Sequence, residues 1–202
     1  MDRYPTPQSP QRFELEIKRS RFITSIAPVQ NKQSALLTID SVRREFPDAN
    51  HHCWAMVAAT PTDVYHHDQS DDGEPKGTAG KPMLNVLLHS GLGNVTVVVT
   101  RYFGGIKLGA GGLVRAYTQC VSSALGELKT TVQFIREDRQ LELPYSQLDS
   151  FEHWLQSTDI SITDKAFTDN VILHLAIPKS EILKLEMKAT ELGGRLLSSH
   201  PV

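Results

Sequence analysis

A run of β-branched residues, followed by a glycine-dense segment and an amphipathic pattern, constrains this chain most. Residues 94–101 contain Val95, Val97, Val98 and Val99, the near-continuous pattern of a central strand covered on both faces. Five glycines follow within residues 104–112, and from Leu113 to Leu128 apolar residues recur at helical spacing. The order strand, glycine loop, helix predicts an α+β domain built around this strand.

The elements before this unit are predicted from periodicity and breakers. Alternation predicts strands over 13–17 and 21–28, and helical spacing between Asn31 and Pro47 predicts a helix. A buried strand over 52–59, a short strand near 64–65, a loop over 68–81 and a helix over 82–91 follow. We expect residues 1–11 to be a flexible tail and residues 12–128 to be the first domain.

The pattern restarts after residue 130. Strands are expected at 132–143, 159–167, 170–177 and 195–199, and helices at 146–157 and 178–192. The order βαββαβ is that of a ferredoxin-like domain. We therefore predict a second domain over residues 131–202.

Composition indicates a soluble cytoplasmic protein. Hydrophobic residues make up 40% and charged residues 22% of the chain, and no apolar run approaches the ~18 residues of a membrane span. The proline-containing start does not read as a signal peptide. Cys53 and Cys120 lack the spacing of a metal site or a disulfide framework, which favours a reducing compartment. We predict no membrane association and no cofactor; the oligomeric state stays open.

Charge is distributed unevenly. Residues 1–126 carry 13 Lys and Arg against 11 Asp and Glu, a net charge of +2, whereas residues 127–202 carry 8 against 12, a net charge of −4. From Pro75 to Gly126 there is no acidic residue, but five cations occur. This acid-free basic stretch contains the glycine loop.

The glycine loop is a candidate anion site. Glycines let backbone N–H groups converge on an oxyanion, and the N-terminus of the following helix adds partial positive charge. Arg101 ends the strand before the loop, Lys107 lies in the loop, and Arg115 lies about one turn into the following helix, so all three could face the same anion. The spacing matches neither a P-loop nor a dinucleotide-binding fingerprint. The alternative is that the glycines only allow tight packing of helix against sheet.

The loop before it joins an acidic cluster to a basic one. Asp71, Asp72 and Glu74 could close a lid over the glycine loop or contact a metal, or the segment could be an ordinary exposed loop. Tyr102 and Phe103 could stack on bases or belong to the core. We assign no catalytic residue and no metal ligand, because no nucleophile with a positioned base is visible.

Four segments resemble the signatures of the IMPACT family, specifically its bacterial YigZ-type members. They are Ser20-Arg21-Phe22-Ile23, His51-His52-Cys53-Trp54-Ala55, Asp71-Asp72-Gly73-Glu74-Pro75 continuing to Lys81-Pro82-Met83-Leu84, and Arg101-Tyr102-Phe103-Gly104-Gly105 continuing to Leu113. The resemblance spans about residues 18–126. It implies a first domain with the left-handed βαβ fold of a ribosomal protein domain, EF-G domain four and GHMP kinases, and a second domain similar to EF-G domain five.

The resemblance also implies a translation-related role, because both types of related domain touch RNA. Eukaryotic members regulate translation by competing for the activator of a kinase, and they use an additional N-terminal domain for this role. We therefore do not extend the kinase-related role to this chain. The feature that we expect it to share with the family is the anion-binding groove near Arg101, Lys107 and Arg115. The residues assigned to binding an anion or a nucleic acid are Arg21, Lys76, Lys81, Arg101, Tyr102, Gly104, Gly105, Lys107, Gly109, Gly111, Gly112 and Arg115.

Three functions stay open at this stage. The favoured one is a non-enzymatic translation accessory factor that binds RNA or a ribosomal particle, with a translation-factor protein as a further partner. The second is an enzyme acting on a small phosphorylated ligand or nucleotide. The third is a protein-binding adaptor.

Overall fold

The computed structural model describes residues 2–197, and these form two compact units. One unit comprises Tyr4–Gln133, and the other comprises residues 134–197 together with residues 2–3. Each unit has hydrophobic clusters of its own. The chain is therefore a two-domain α+β protein, as predicted.

A five-stranded antiparallel sheet forms the centre of the first unit. The helices and strands of this part of the chain are β1 Arg3–Pro7, β2 Gln11–Ile17, β3 Ser20–Pro28, α1 Lys32–Glu45, β4 His51–Val57, β5 His67–Ser70, α2 Gly80–Ser90, β6 Val95–Tyr102, α3 Ala110–Glu127 and β7 Thr130–Phe134. The strand order in the sheet is β2-β3-β6-β4-β5. Strand β6 lies in the middle because its alternate valines can be buried on both faces. The segment β3–α1–β4 crosses over β6; its left-handed sense stays a prediction of the resemblance.

The helices cover opposite faces of this sheet. Val95, Val97 and Val99 pack into a core with residues of α2 and α3, whereas Val98 packs into a core with α1. This division follows from strand alternation, which sends successive side chains to opposite faces. Asn31 caps α1 through a capping box, as its position in the sequence predicts.

The ordered strand β1 departs from the expectation of a flexible tail over residues 1–11. Strand β1 pairs with β7 in a separate two-stranded sheet, and the carbonyl oxygen of Pro5 accepts a hydrogen bond from Gly93. Tyr4 and Thr6 are buried. Because partners for these backbone groups lie far away in sequence, periodicity within residues 1–11 carries no sign of them.

Three other boundaries differ from the predicted ones. Residues 64–66 form a 3₁₀ turn, and the strand that pairs with β4 is β5, inside the expected loop. The predicted strand over 132–143 is two strands in different sheets, β7 and a strand that begins at Arg136. Helix α2 begins at Gly80, two residues before Pro82.

The second unit contains the predicted βαββαβ order. Its elements are β8 Arg136–Leu143, α4 Leu148–Leu155, β9 Ser161–Phe167, β10 Val171–Pro178, α5 Ile182–Glu191 and β11 Arg195–Leu197. The strand order β11-β8-β10-β9 is antiparallel throughout. The predicted last strand extended to Ser199, of which residues 198 and 199 lie outside the described residues.

Among residues 2–197, no helix combines the length and the apolar character needed to cross a membrane.

Candidate anion-binding site

The N-terminus of α3 faces solvent without a side-chain cap. Gly109 is the N-cap residue and has φ 71°, a left-handed backbone angle that favours glycine. No side chain of the described residues caps this end, and the first turn contains no acidic residue. Because the first N–H groups of a helix have no partner within the helix, this end offers donors and partial positive charge to an anion.

Two exposed cations flank this helix end. Lys107 lies in the glycine loop, and Arg115 extends back along α3 toward its first turn. The Nη1 atom of Arg115 comes within 3.9 Å of the position that a Cβ atom on Gly111 would occupy. Neither cation forms an ion pair within residues 2–197.

The groove between α2 and α3 continues this surface. It has a volume of about 600 Å³, and Lys81 and Pro82 of α2 face Val114 and Thr118 of α3 across it. Lys76 is exposed in the loop that leads into α2. We define the basic surface as Lys76, Lys81, Lys107 and Arg115 together with the N-terminus of α3. Of the predicted residues, Gly105, Gly109 and Gly111 are exposed in or beside it.

Arg101 does not belong to the basic surface, which corrects its assignment to the anion site. Its side chain is 7% exposed, and its guanidinium forms an ion pair with the 4% exposed side chain of Glu74 at 2.5 Å. The guanidinium also lies 5.4 Å from the centre of the Phe22 ring. The physical reason is strand alternation: Arg101 shares the inward face of β6 with Val97 and Val99, under α2 and α3.

Glu74 links Arg101 to a buried polar cluster. Its carboxylate accepts a hydrogen bond of 2.9 Å from the hydroxyl of Tyr117, which in turn lies 3.2 Å from the Sγ atom of Cys53. Burial raises the pKa of the Cys53 thiol to about 12 and raises the pKa of Tyr117 as well. Both groups therefore stay protonated at neutral pH. A nucleophilic role of Cys53 has no support in this geometry.

Asp71 and Asp72 brace the loop before α2 through hydrogen bonds within the unit. The Asp71 carboxylate accepts hydrogen bonds from the backbone N–H groups of Gly77, Ala79 and Gly80 at 2.7 to 2.9 Å. Burial acts to raise the pKa of Asp71, but these three donors outweigh it and hold the pKa below its usual value. The N-terminus of α2 is thus already occupied by a carboxylate of the chain.

Asp72 and Glu74 are also bound within the unit, so these contacts give no support to the possible metal-contacting role of this loop. Asp72 accepts hydrogen bonds from Arg43 and from the backbone of His52, each at 2.7 Å. Within the described residues, no group of three His, Cys, Asp or Glu side chains is arranged to hold a metal ion. The lid interpretation has no support either, because Asp71, Asp72 and Glu74 are each hydrogen-bonded within their own unit.

Gly104 packs against the turn between β2 and β3. A Cβ atom at Gly104 would lie 1.9 Å from the carbonyl oxygen of Arg19, so only glycine fits this contact. The hydroxyl of Ser20 lies 3.3 Å from both Nη2 of Arg101 and the backbone nitrogen of Gly104. Gly104 and Arg101 therefore hold the glycine loop onto the β2–β3 turn.

This turn carries two cations that the sequence-based assignment missed. Lys18 and Arg19 are both exposed and form no ion pair within residues 2–197. The signal was present in the sequence as two adjacent cations between alternating strands, but their position beside Gly104 depends on the tertiary contact.

The other predicted residues lie at the margin. Arg21 is neutralised by Glu14 through two hydrogen bonds of 2.7 and 2.9 Å and lies 5.8 Å from the Tyr102 ring centre. Phe103 is 47% exposed, and its ring centre lies 5.8 Å from the guanidinium carbon of Arg101. Gly112 lies in the first turn of α3 and is half-buried.

Comparisons with known proteins assign the chain to a family. Residues 18–125 match the Impact N-terminal domain, and residues 141–194 match a domain described as of unknown function, DUF1949.

Two curated relatives cover nearly the whole chain. The chain is 42% identical to the IMPACT family member YigZ of Escherichia coli, covering 95% of this chain and 94% of that protein. It is 41% identical to an IMPACT family member of Haemophilus influenzae, covering 98% and 96%. A crystal structure of a hypothetical protein superposes with a TM-score of 0.77 at 40% identity and covers both chains completely. The chain therefore belongs to the IMPACT family, and its similarity to YigZ confirms the resemblance expected from its sequence motifs.

Proposed function

We propose that this protein is a non-enzymatic accessory factor of translation that binds RNA or a ribosomal particle through the basic surface. The observation that carries the proposal is the coincidence of four exposed cations with an uncapped helix end on one unit. Phosphate groups bind to such helix ends and to lysine and arginine side chains. Nucleic acid also fits the absence of Asp and Glu among the exposed residues of 75–126, because a polyanion is repelled by each carboxylate on the surface that it touches.

The resemblance supplies the translation-related part of the proposal. The folds that the family signatures imply are those of domains that touch RNA. A translation-factor protein is a further partner of the same proposal, because such factors act on the ribosome. The net charge of −4 over residues 127–202 disfavours polyanion binding by the second unit, which supports the first unit as the RNA-binding one.

The test is a salt titration of binding to labelled ribosomal RNA fragments. If about four phosphates are neutralised, the plot of log affinity against log salt should have a slope of roughly −3 to −4. The double variant Lys107→Ala/Arg115→Ala should reduce the magnitude of the slope by about 1.5 to 2 and weaken binding to all fragments similarly.

The matched control is Arg44→Ala/Lys129→Ala. Both residues are exposed and carry no ion pair within residues 2–197; Arg44 lies on α1, on the opposite face of the sheet, and Lys129 lies beyond the far end of α3. This variant loses the same charge and should bind RNA as the wild type does. A flat salt response, or equal losses in both double variants, would refute the proposal.

A screen of metabolites separates the enzymatic alternative. Saturable thermal stabilisation by one mononucleotide or sugar phosphate, with no RNA binding, would favour an enzyme acting on that ligand. Capture of a translation factor that persists after nuclease treatment would favour the protein adaptor.

A further inference from the structure

The β2–β3 turn has an unusual backbone for its sequence. Ile17 pairs with Ser20, so the loop consists of two residues, Lys18 and Arg19. Their φ angles are 46° and 66°, both left-handed. Positive φ at both central positions is the requirement of a type I′ turn, for which Asn-Gly is the preferred sequence. Lysine and arginine adopt this conformation only with strain.

Nothing within the folded unit explains why these two residues occupy the turn. Neither side chain forms a hydrogen bond or an ion pair within residues 2–197, and both are exposed. The neighbouring Arg21, by contrast, is paired with Glu14. The hairpin requires this left-handed turn but not the two charged side chains that are strained in it, which points to a role of these side chains outside the fold.

The position of the turn connects it to the basic surface. The carbonyl oxygen of Arg19 lies against Gly104, and the backbone nitrogen of Gly104 lies 3.3 Å from the Ser20 hydroxyl. Lys107 is three residues further along the same loop. Arg101 also contacts the Ser20 hydroxyl, so its buried ion pair with Glu74 helps to hold the β2–β3 turn against the glycine loop. The turn is thus packed directly against the glycine loop.

We propose that Lys18 and Arg19 bind backbone phosphates of the same RNA as the basic surface. This inference rests on the proposed function and extends the site to a second segment of the chain. The turn holds the two ammonium and guanidinium groups on a short, well-anchored loop, which reduces the entropy lost when they engage phosphates. The strain of the turn is retained because Asn-Gly, the sequence that would relieve it, has no charge.

The test compares two double variants of the full chain. Lys18→Asn/Arg19→Gly removes both charges and relieves the strain, whereas Lys18→Gln/Arg19→Gln removes both charges and keeps the strain. Both should bind a labelled ribosomal RNA fragment about threefold to thirtyfold more weakly at 0.1 M salt. In both, the magnitude of the salt slope should fall by about 1.5 to 2.

Thermal unfolding separates the two variants. The Asn-Gly variant should raise the Tm by about 2 to 5 °C, because its residues favour the left-handed conformation. The Gln-Gln variant should gain no stability. Opposite changes of affinity and stability in one variant cannot be explained by misfolding.

Four outcomes decide the inference. Wild-type RNA affinity and slope in the Gln-Gln variant, while Lys107→Ala/Arg115→Ala lowers both, would overturn this inference and leave the proposed function standing. An unchanged Tm in the Asn-Gly variant would show that the turn is not strained and would also overturn it. No salt-dependent RNA binding by the wild type would overturn both proposals. If the Gln-Gln variant and the control Arg44→Ala/Lys129→Ala lose the same RNA affinity, the effect arises from net charge alone, which would overturn the inference.

Discussion

At the scale of single residues, Arg101 shows that burial can change the role of a cationic side chain from binding a ligand to stabilising the fold. A guanidinium at the end of a strand, beside a glycine loop, has the sequence context of a phosphate ligand. In the fold it is enclosed by Phe22 and Phe103 and bound to Glu74. A buried pair of this kind is sensitive to loss of one partner, because the other charge is left without compensation.

We expect Arg101→Ala to lower the free energy of unfolding by about 3 to 5 kcal/mol in urea titrations. Lys107→Ala, which removes an exposed cation from the same region, should change it by no more than about 0.5 kcal/mol. Adding Glu74→Gln to Arg101→Ala should recover part of the loss, since it removes the orphaned charge. A stable Arg101→Ala variant that loses only RNA binding would return Arg101 to the binding site.

At the scale of elements, the glycine loop combines two different reasons for glycine. Gly104 is required by a close approach of backbone to backbone at the β2–β3 turn. Gly111, in the first turn of α3, has open space around it; beyond the helix backbone, the nearest described atom to an added Cβ would be Nη1 of Arg115, at 3.9 Å. The same residue type therefore serves tight packing at one end of the loop and leaves the backbone accessible at the other.

These positions should respond oppositely to alanine. Gly104→Ala should cost about 2 to 4 kcal/mol, because the new methyl group displaces the Arg19 carbonyl. Gly111→Ala should stabilise the protein by about 0.5 to 1 kcal/mol through helix propensity. Urea titration of both variants measures these changes. A tolerated Gly104→Ala substitution would contradict the junction between the glycine loop and the β2–β3 turn.

At the scale of the whole molecule, the two units have separate cores and different titratable groups. Both thiols, Cys53 and Cys120, lie buried in the first unit, and burial raises the pKa of each to about 12. An unfolded thiol has a pKa of about 8.5. Above that pH the unfolded state loses protons that the folded state keeps, so stability present at lower pH falls as the pH rises toward 12.

The two tryptophans allow this prediction to be measured unit by unit. Trp54 lies in the first unit and Trp154 in the second. Between pH 8 and pH 9.5, the two thiols should lower the stability of the first unit by about 2 to 3 kcal/mol. In single-tryptophan variants, the urea midpoint reported by Trp54 should therefore fall, and the midpoint reported by Trp154 should fall less. Equal shifts at both tryptophans, or a loss that survives Cys53→Ala/Cys120→Ala, would contradict this assignment.

Much of this architecture was predictable from local patterns. The β-branched run of β6, the capped α1 and the βαββαβ order of the second unit are visible because periodicity and breakers are properties of neighbouring residues. The N-terminus of α3 directly after the glycine loop, with Lys107 and Arg115 close to it in sequence, was predictable for the same reason.

Other features depend on contacts between residues that are far apart in the sequence, and only the tertiary structure determined these. It made a strand of residues 3–7, because the partner strand begins at Thr130. It buried Arg101 and paired it with Glu74. Strand alternation points Arg101 toward α2 and α3, and no local sequence pattern specifies where these two helices pack. It brought the Lys18–Arg19 turn against Gly104, across 85 positions of sequence. Composition showed that residues 75–126 contain cations and no acidic residue, and only packing determined which of those cations face solvent.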